Sequence, residues 1–210
     1  MKLIIGNKRY SSWSLRPWIL MKHFNIPFEE ILIKLDMPDT TVNIKKYNPT
    51  GKVPALIDND FLIWESAAIM EYLNDLFPEK KMYPEDIRDR AHARAISMEM
   101  HAGFGQMREL LSFNIRNNFK DFDLSPAMED IRRVKTIWTE ALTKSKGPFL
   151  FGDFSIADAM YAPVVGRFKS FGVPVDGLVK NYCGTMMNLP AMKEWYEGAM
   201  KEDFVAVNHK

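Results

Sequence analysis

Apolar and polar positions in the first third of the chain change period every few residues. Lys2–Ile5 is apolar enough for a buried strand, and Ser14–Phe24 carries Trp18, Leu20 and Met21 among the apolar positions of a helix. Glu29–Leu35 alternates, with Ile31, Ile33 and Leu35 on one face, which predicts a strand. Ala55–Asp58 and Phe61–Trp64 flank the turn-forming pair Asn59-Asp60 and predict an antiparallel hairpin. Ser66–Phe77 sets Ala67, Ile69, Met70 and Leu73 at helical spacing. The order is β-α-β, a stretch around Thr40–Tyr47 with no defined pattern, then β-β-α.

The pattern then changes. Pro78, Lys80-Lys81 and Pro84 punctuate the chain and predict a linker over residues 79–87. Beyond it no strand signal appears until the tail. Helical patterns run over Ile87–Asn117, Ser125–Ser145, Ser155–Phe168, Val175–Met187 and Pro190–Met200. Ser155-Ile156-Ala157-Asp158 has the cap hydroxyl and N3 carboxylate of a capping box, with Asp in place of the usual Glu or Gln. The expectation is an α/β thioredoxin-like domain over residues 1–78 and an all-α helical domain over 88–210.

Composition adds bounds. The 210 residues are 47% hydrophobic and 26% charged with a formal net charge of +1, which suits a globular chain with one large core or two smaller ones. Near-neutral charge gives no electrostatic case for nucleic acid or an anionic membrane. The apolar run at Met1–Gly6 is too short for a signal peptide, and no segment approaches the ~20 apolar residues that span a bilayer. A single cysteine, Cys183, excludes an internal disulfide framework and a Cys-x-x-Cys pair. The expectation is a reduced, cytoplasmic protein. The 14 methionines read as core filler, with those of the long helix able also to line a pocket for an apolar electrophile.

Candidate chemistry gathers in three short segments: Tyr10-Ser11-Ser12-Trp13-Ser14-Leu15-Arg16, Asn48-Pro49-Thr50-Gly51-Lys52-Val53-Pro54 and Trp64-Glu65-Ser66. The hydroxyls stand at a helix start, where free N–H groups and the positive dipole end favour an anion. Val53-Pro54 offers backbone groups to an extended ligand, and Glu65-Ser66 opens another helix with a carboxylate and a hydroxyl. Together they suit a peptide-like, carboxylate-bearing ligand with a group to activate, which points to the thiol tripeptide glutathione. Each piece also has a plainer use: serines cap helices, Ser and Glu are common at helix N-termini, and a loop lysine is commonly just solvated. The four histidines offer no metal site; His92 and His101 share a helix but fall on opposite faces, His23 lies in an apolar helix and His209 in the tail.

With these motifs the chain resembles the cytosolic glutathione transferases, and within them the zeta-like, serine-type branch that includes maleylacetoacetate isomerases. Ser11-Ser12-Trp13-Ser14-Leu15-Arg16 looks like that branch's Ser-Ser-Cys-x-x-Arg signature, Lys52-Val53-Pro54 like the Val-Pro loop, Glu65-Ser66 like the Glu/Gln-Ser pair and Ser155-x-Ala157-Asp158 like the family's helix cap. The resemblance implies Ser11 as the hydroxyl that stabilises the thiolate, with Ser12 as the alternative and Tyr10 as a weaker rival. It also implies a cis Val53–Pro54 bond that turns the Val53 backbone toward the cysteinyl unit, with Lys52 near the glycyl carboxylate. Glu65 would take the γ-glutamyl ammonium and Ser66 the carboxylate. Gln106 resembles a segment that reaches the cleft, Arg167 the arginine that holds the isomerase substrate's carboxylate, and Arg16 a support of the site or the domain interface. One departure stands out: Trp13 occupies the place of the signature cysteine, which removes cysteine-based chemistry there. The implied function is conjugation of glutathione to small electrophiles by a homodimer, without metal. The alternatives are glutathione-dependent cis–trans isomerisation and a non-catalytic binding protein of this fold.

Overall fold

The structure, a computed structural model, describes residues 1–119 and 121–203. Strand β1 (Lys2–Gly6) lies inside a four-stranded mixed sheet, between parallel β2 (Glu29–Ile33) and antiparallel β3 (Ala55–Asp58). Its central position explains the continuous apolar run, since Leu3, Ile4 and Ile5 are all fully buried. β4 (Phe61–Trp64) closes the hairpin with β3, giving the order β2-β1-β3-β4. The hairpin has its predicted bounds, with Asn59 supplying a positive φ of 52° at the turn. β2 ends at Ile33 rather than Leu35 because β1 ends at Gly6. Beyond that point Asn7 Oδ1 accepts the Leu35 N–H at 2.8 Å in place of a ladder bond. The Leu35 side chain folds over Gly6, where a Cβ would meet its Cδ1 at 2.6 Å.

Helix α1 (Ser12–His23) begins two residues before the predicted start, so Ser11 becomes its N-cap. The undefined stretch folds as α2 (Thr40–Lys45), a short helix with one buried side chain, Ile44, and hence no readable periodicity. α3 (Ser66–Leu76) follows β4, and Pro78–Lys80 makes a single 3₁₀ turn. The helix read as continuous over Ile87–Asn117 is broken into α4 (Ile87–Ala102) and α5 (Gly105–Leu110). Gly103 ends α4, and Phe104 takes a left-handed φ of 59° before Gly105 restarts the chain. α6 (Met128–Ser145) is entered through a 3₁₀ turn at Ser125–Ala127, and α7 (Ile156–Ser170), α8 (Gly177–Asn188) and α9 (Pro190–Lys201) complete the helical part. The tail after Asp203, with His209, falls beyond the described residues.

The α/β thioredoxin-like part and the all-α part share one continuous core. α7 is buried on every side from Ile156 to Phe168 and packs against α1, α4 and α8. Trp18 of α1 meets Trp195 of α9 edge-on at 5.0 Å, while Trp138 packs on Tyr161, Phe168 and Tyr182. Full burial of one such side chain contributes about 1.5–3 kcal/mol, so the Trp18–Trp195 pair fixes α1 against α9 while the Trp138 group holds the helical part together. The cap of α7 forms as predicted: Asp158 accepts the Ser155 N–H at 2.9 Å and the Leu150 N–H at 3.1 Å. Cys183 of α8 is partly buried, and burial pushes its thiol up to about 12. Among the described residues no helix is long and apolar enough to cross a membrane.

Candidate active site

The turn from β1 into α1 carries the two serines. Asn7 O accepts both the Tyr10 N–H at 3.1 Å and the Ser11 N–H at 2.8 Å, which reverses the chain and leaves Ser11 at the helix entrance. Ser11 Oγ accepts the Ser14 N–H at 3.4 Å and lies 2.7 Å from Ser14 Oγ, which itself accepts the Gly6 N–H at 3.1 Å. Capping and facing the cleft are therefore the same position for Ser11. Its hydroxyl sits at the positive end of the α1 dipole.

The second segment is pinned by Asn48. This fully buried side chain donates through Nδ2 to Lys52 O at 2.8 Å and accepts the Thr50 N–H at 3.2 Å. The Val53–Pro54 bond is cis. In the third segment Glu65 precedes α3 with φ 71° and ψ 127°, a conformation that costs a non-glycine residue about 1–3 kcal/mol and is typical of functional positions. Ser66 is fully buried, its Oγ accepting from Arg16 Nη1 at 3.5 Å.

One cavity of about 490 Å³ joins Tyr10–Trp13, Thr50–Pro54, Trp64 and Glu65, with Leu35, Asp36, Thr40, Ile44 and Asn48 closing its far side. Of the residues singled out in the sequence, Ser11, Ser12, Lys52, Val53, Pro54 and Glu65 line it, whereas Ser66, Gln106 and Arg167 do not. Gln106 stands exposed on α5. Arg167, far from being a surface side chain, is buried, donating through Nε to Leu111 O at 2.7 Å and through Nη2 to Ser12 Oγ at 3.4 Å.

A group that the sequence did not announce stands beside the cavity. The Trp13 ring is approached by the Arg16 guanidinium at 4.1 Å, by the Arg108 guanidinium at 5.6 Å and by the His101 ring, edge-on, at 5.3 Å. His101 Nε2 also lies 4.0 Å from Glu65 Oε2. Burial, then the charges of Arg167 and Arg108, lower Arg16 to about 9, and burial followed by Arg108 lowers Arg167 to about 10. Both stay cationic at neutral pH. Burial and Arg16 lower His101, with Glu65 opposing, so its imidazole is neutral at pH 7. This corner holds a surplus of positive charge, and the guanidinium Nε atoms of Arg16 and Arg108 have no hydrogen-bond partner. The only sequence cue was the Gly103–Gly105 break, which folds α5 back so that Arg108 Nη1 reaches His101 O at 3.3 Å. His92 packs instead on Phe151, on the opposite side of α4. Among the described residues no group of His, Cys, Asp and Glu has the arrangement to hold a metal ion.

The glutathione S-transferase N-terminal domain model matches residues 10–76, and the glutathione S-transferase C-terminal domain model matches residues 88–198. The chain belongs to the glutathione S-transferase family. Its relatives include the probable maleylacetoacetate isomerase of Caenorhabditis elegans, 28% identical over 184 residues that span 86% of this chain and 85% of that one. Among solved structures, maleyl pyruvate isomerase, a bacterial glutathione S-transferase in the zeta class, superposes with a TM-score of 0.75 at 24% identity, covering 96% of this chain and 99% of the other. A glutathione transferase homolog from Burkholderia gl BGR1 with bound glutathione gives a TM-score of 0.70 at 21% identity, covering 96% and 98%. This family member thus has the glutathione S-transferase fold throughout.

Proposed function

We propose that this protein is a glutathione transferase that conjugates the glutathione thiolate to small electrophiles. The observation that carries the reading is the meeting, in one cavity, of the Ser11 hydroxyl at a helix N-terminus, the cis Val53–Pro54 loop and Glu65. Glutathione lies along this cavity with its cysteinyl unit paired to the Val53 backbone in the manner of an added strand. Its glycyl carboxylate is near Lys52 and its γ-glutamyl end is at Glu65 and Ser66. A free thiol has a pKa of about 8.5, so most of it is protonated at neutral pH. A hydroxyl that donates to sulfur, beside a helix N-terminus, favours the anion. The thiol proton leaves to solvent, the sulfur lone pair forms a C–S bond with the electrophile, and the leaving group departs with its bonding pair.

The buried arginines favour a second reading of the same site. Arg167 and Arg16, with half-buried Arg108 beside them, suit an acidic electrophile held near Ser12. With a cis-olefinic diacid, addition of the thiolate, rotation about the resulting single bond and elimination regenerate the thiolate and release the trans isomer. In both readings residues 1–78 form the glutathione-binding unit, 79–87 the linker and 88–210 the unit that sets substrate choice. A homodimer is supported by exposed Phe61, Leu76 and Met98. The protein acts in the cytoplasm, in detoxification or in turnover of an unsaturated acid. A binding protein without activity is disfavoured because the chain keeps Ser11, Glu65 and Ser66.

Glutathione at millimolar concentration should raise the melting temperature, and Ser11→Ala should abolish most conjugation while leaving glutathione affinity nearly intact. Titration of the bound thiol's ultraviolet thiolate absorbance checks the cause: its pKa should rise in Ser11→Ala. Full activity in Ser11→Ala with loss in Ser12→Ala would transfer the role to Ser12.

A further inference from the structure

We infer that Glu202, which follows α9 far from the catalytic serines in sequence, is a positioning residue for thiol activation, holding the loop that delivers Ser11. The inference rests on the reading of Ser11 as thiolate stabiliser. Lys8 and Arg9 lie between the end of β1 and Ser11, where neither sheet nor helix supplies partners for their main chain. All four of their main-chain groups are nonetheless taken by the helical part. Lys8 N–H donates to Glu202 Oε1 at 2.6 Å and Arg9 N–H to Glu202 Oε2 at 3.2 Å. Lys8 O accepts from Trp195 Nε1 at 2.9 Å, and Arg9 O accepts the Ile115 N–H at 3.3 Å.

The two bonds to Glu202 are charge-assisted and come from one carboxylate, so they fix the direction of the loop as well as its place. Glu202 is itself held, its carbonyl accepting from Arg116 Nη1 at 2.7 Å. Lys8 adds a side-chain anchor, with Nζ 2.9 Å from Glu30 Oε1 and 5.0 Å from the centre of the Trp18 ring. Arg9 Nε donates to Asn114 Oδ1 at 3.0 Å. The next residues hang from this clamp, because Tyr10 and Ser11 turn on Asn7 O. A hydrogen bond to sulfur depends steeply on the angle and distance that Ser11 presents. Glutathione's other holders stand on the Lys52–Pro54 and Glu65–Ser66 segments, which Glu202 does not touch.

The test uses the full chain. In Glu202→Ala the thiol pKa of bound glutathione should rise and kcat/KM for conjugation should fall about tenfold, while the glutathione Kd changes less than about threefold. The Lys8 and Arg9 amides should exchange with deuterium faster. Glu202→Gln keeps one acceptor oxygen and should recover part of the effect, and Arg116→Ala, which frees the Glu202 backbone, should show a smaller shift of the same sign. Val179→Ala in the core face of α8 lowers the melting temperature without touching the loop and should leave the thiol pKa alone. A folded Glu202→Ala with the wild-type thiol pKa, or with unchanged exchange at Lys8 and Arg9, overturns the positioning role, and so does a Glu202→Gln that departs from wild type as far as Glu202→Ala does. Where Glu202→Ala does not fold, unchanged exchange at Lys8 and Arg9 in Arg116→Ala overturns it. A wild-type complex whose thiol titrates as in water overturns the activation reading, and the inference with it.

Discussion

Arg167 is the side chain that can test the two proposed readings against each other. Its guanidinium is buried, has no carboxylate partner among its hydrogen bonds, and reaches Ser12 Oγ. Arg167→Ala should impair turnover of a carboxylate-bearing electrophile tenfold to a hundredfold while sparing a neutral aryl halide, since a lost charged hydrogen bond is worth about 1.5–3 kcal/mol. The comparison of kcat/KM on the two substrates decides it. Equal losses on both would make Arg167 a support for the Leu111 carbonyl, and the isomerase reading would lose its main ground. Ser11, the Val53–Pro54 step and Glu65 were legible in the sequence because each is a short local signature whose chemistry and backbone geometry sit within a few residues. Arg167 was legible only by resemblance, and its burial was not. The meeting of His101 and Arg108 with Trp13 escaped notice because it is a tertiary contact between distant parts of the chain. No spacing rule reaches that far.

Asp158 shows what one helix start does at the scale of an element. Burial raises its carboxyl from the ordinary 3.8 to about 6, against the pull of the Leu150 and Ser155 N–H groups. The folded state therefore holds the proton more tightly than the unfolded chain, and this group's contribution to stability is fullest below about pH 4 and is lost as pH rises through 6. That gap corresponds to about 3 kcal/mol. Asp158→Asn removes the titration, so the stability advantage of wild type over the variant should shrink between pH 4 and 6, as denaturant unfolding at a series of pH values will show. A constant difference across that range would mean that the carboxyl titrates normally. The capping box itself was readable from Ser155 and Asp158, and so was the β3–β4 hairpin from Asn59-Asp60, because both are set by local hydrogen bonding and turn chemistry. The break after Ala102 was missed for the opposite reason. Phe104, an aromatic residue, takes the left-handed conformation with its ring buried, and helical periodicity read alone carries through the flanking Gly103 and Gly105.

For the molecule as a whole, the single core shared by sheet and helices means that filling the cleft should stabilise everything at once. At a hundredfold excess of glutathione over its Kd the gain is about 2.7 kcal/mol. The exposed apolar residues of the β4–α3 face should pair across a two-fold axis. Phe61→Glu should then convert a dimer to a monomer in sedimentation experiments, and a wild-type monomer would refute the assembly outright. The order of sheet part and then helical part was visible because hydrophobic period and punctuation change together near Pro78. The shared core was not, since nothing in either half announces that Trp18 and Trp195 will touch. One further consequence follows from Cys183. With its thiol pushed up to about 12, it is almost wholly protonated at neutral pH and so a poor nucleophile. A catalyst of electrophiles is exposed to alkylation by its own substrates, and this chain presents them with no competing thiolate. In the glutathione complex a limiting thiol-reactive dye should therefore label the bound tripeptide and leave the protein's mass unchanged.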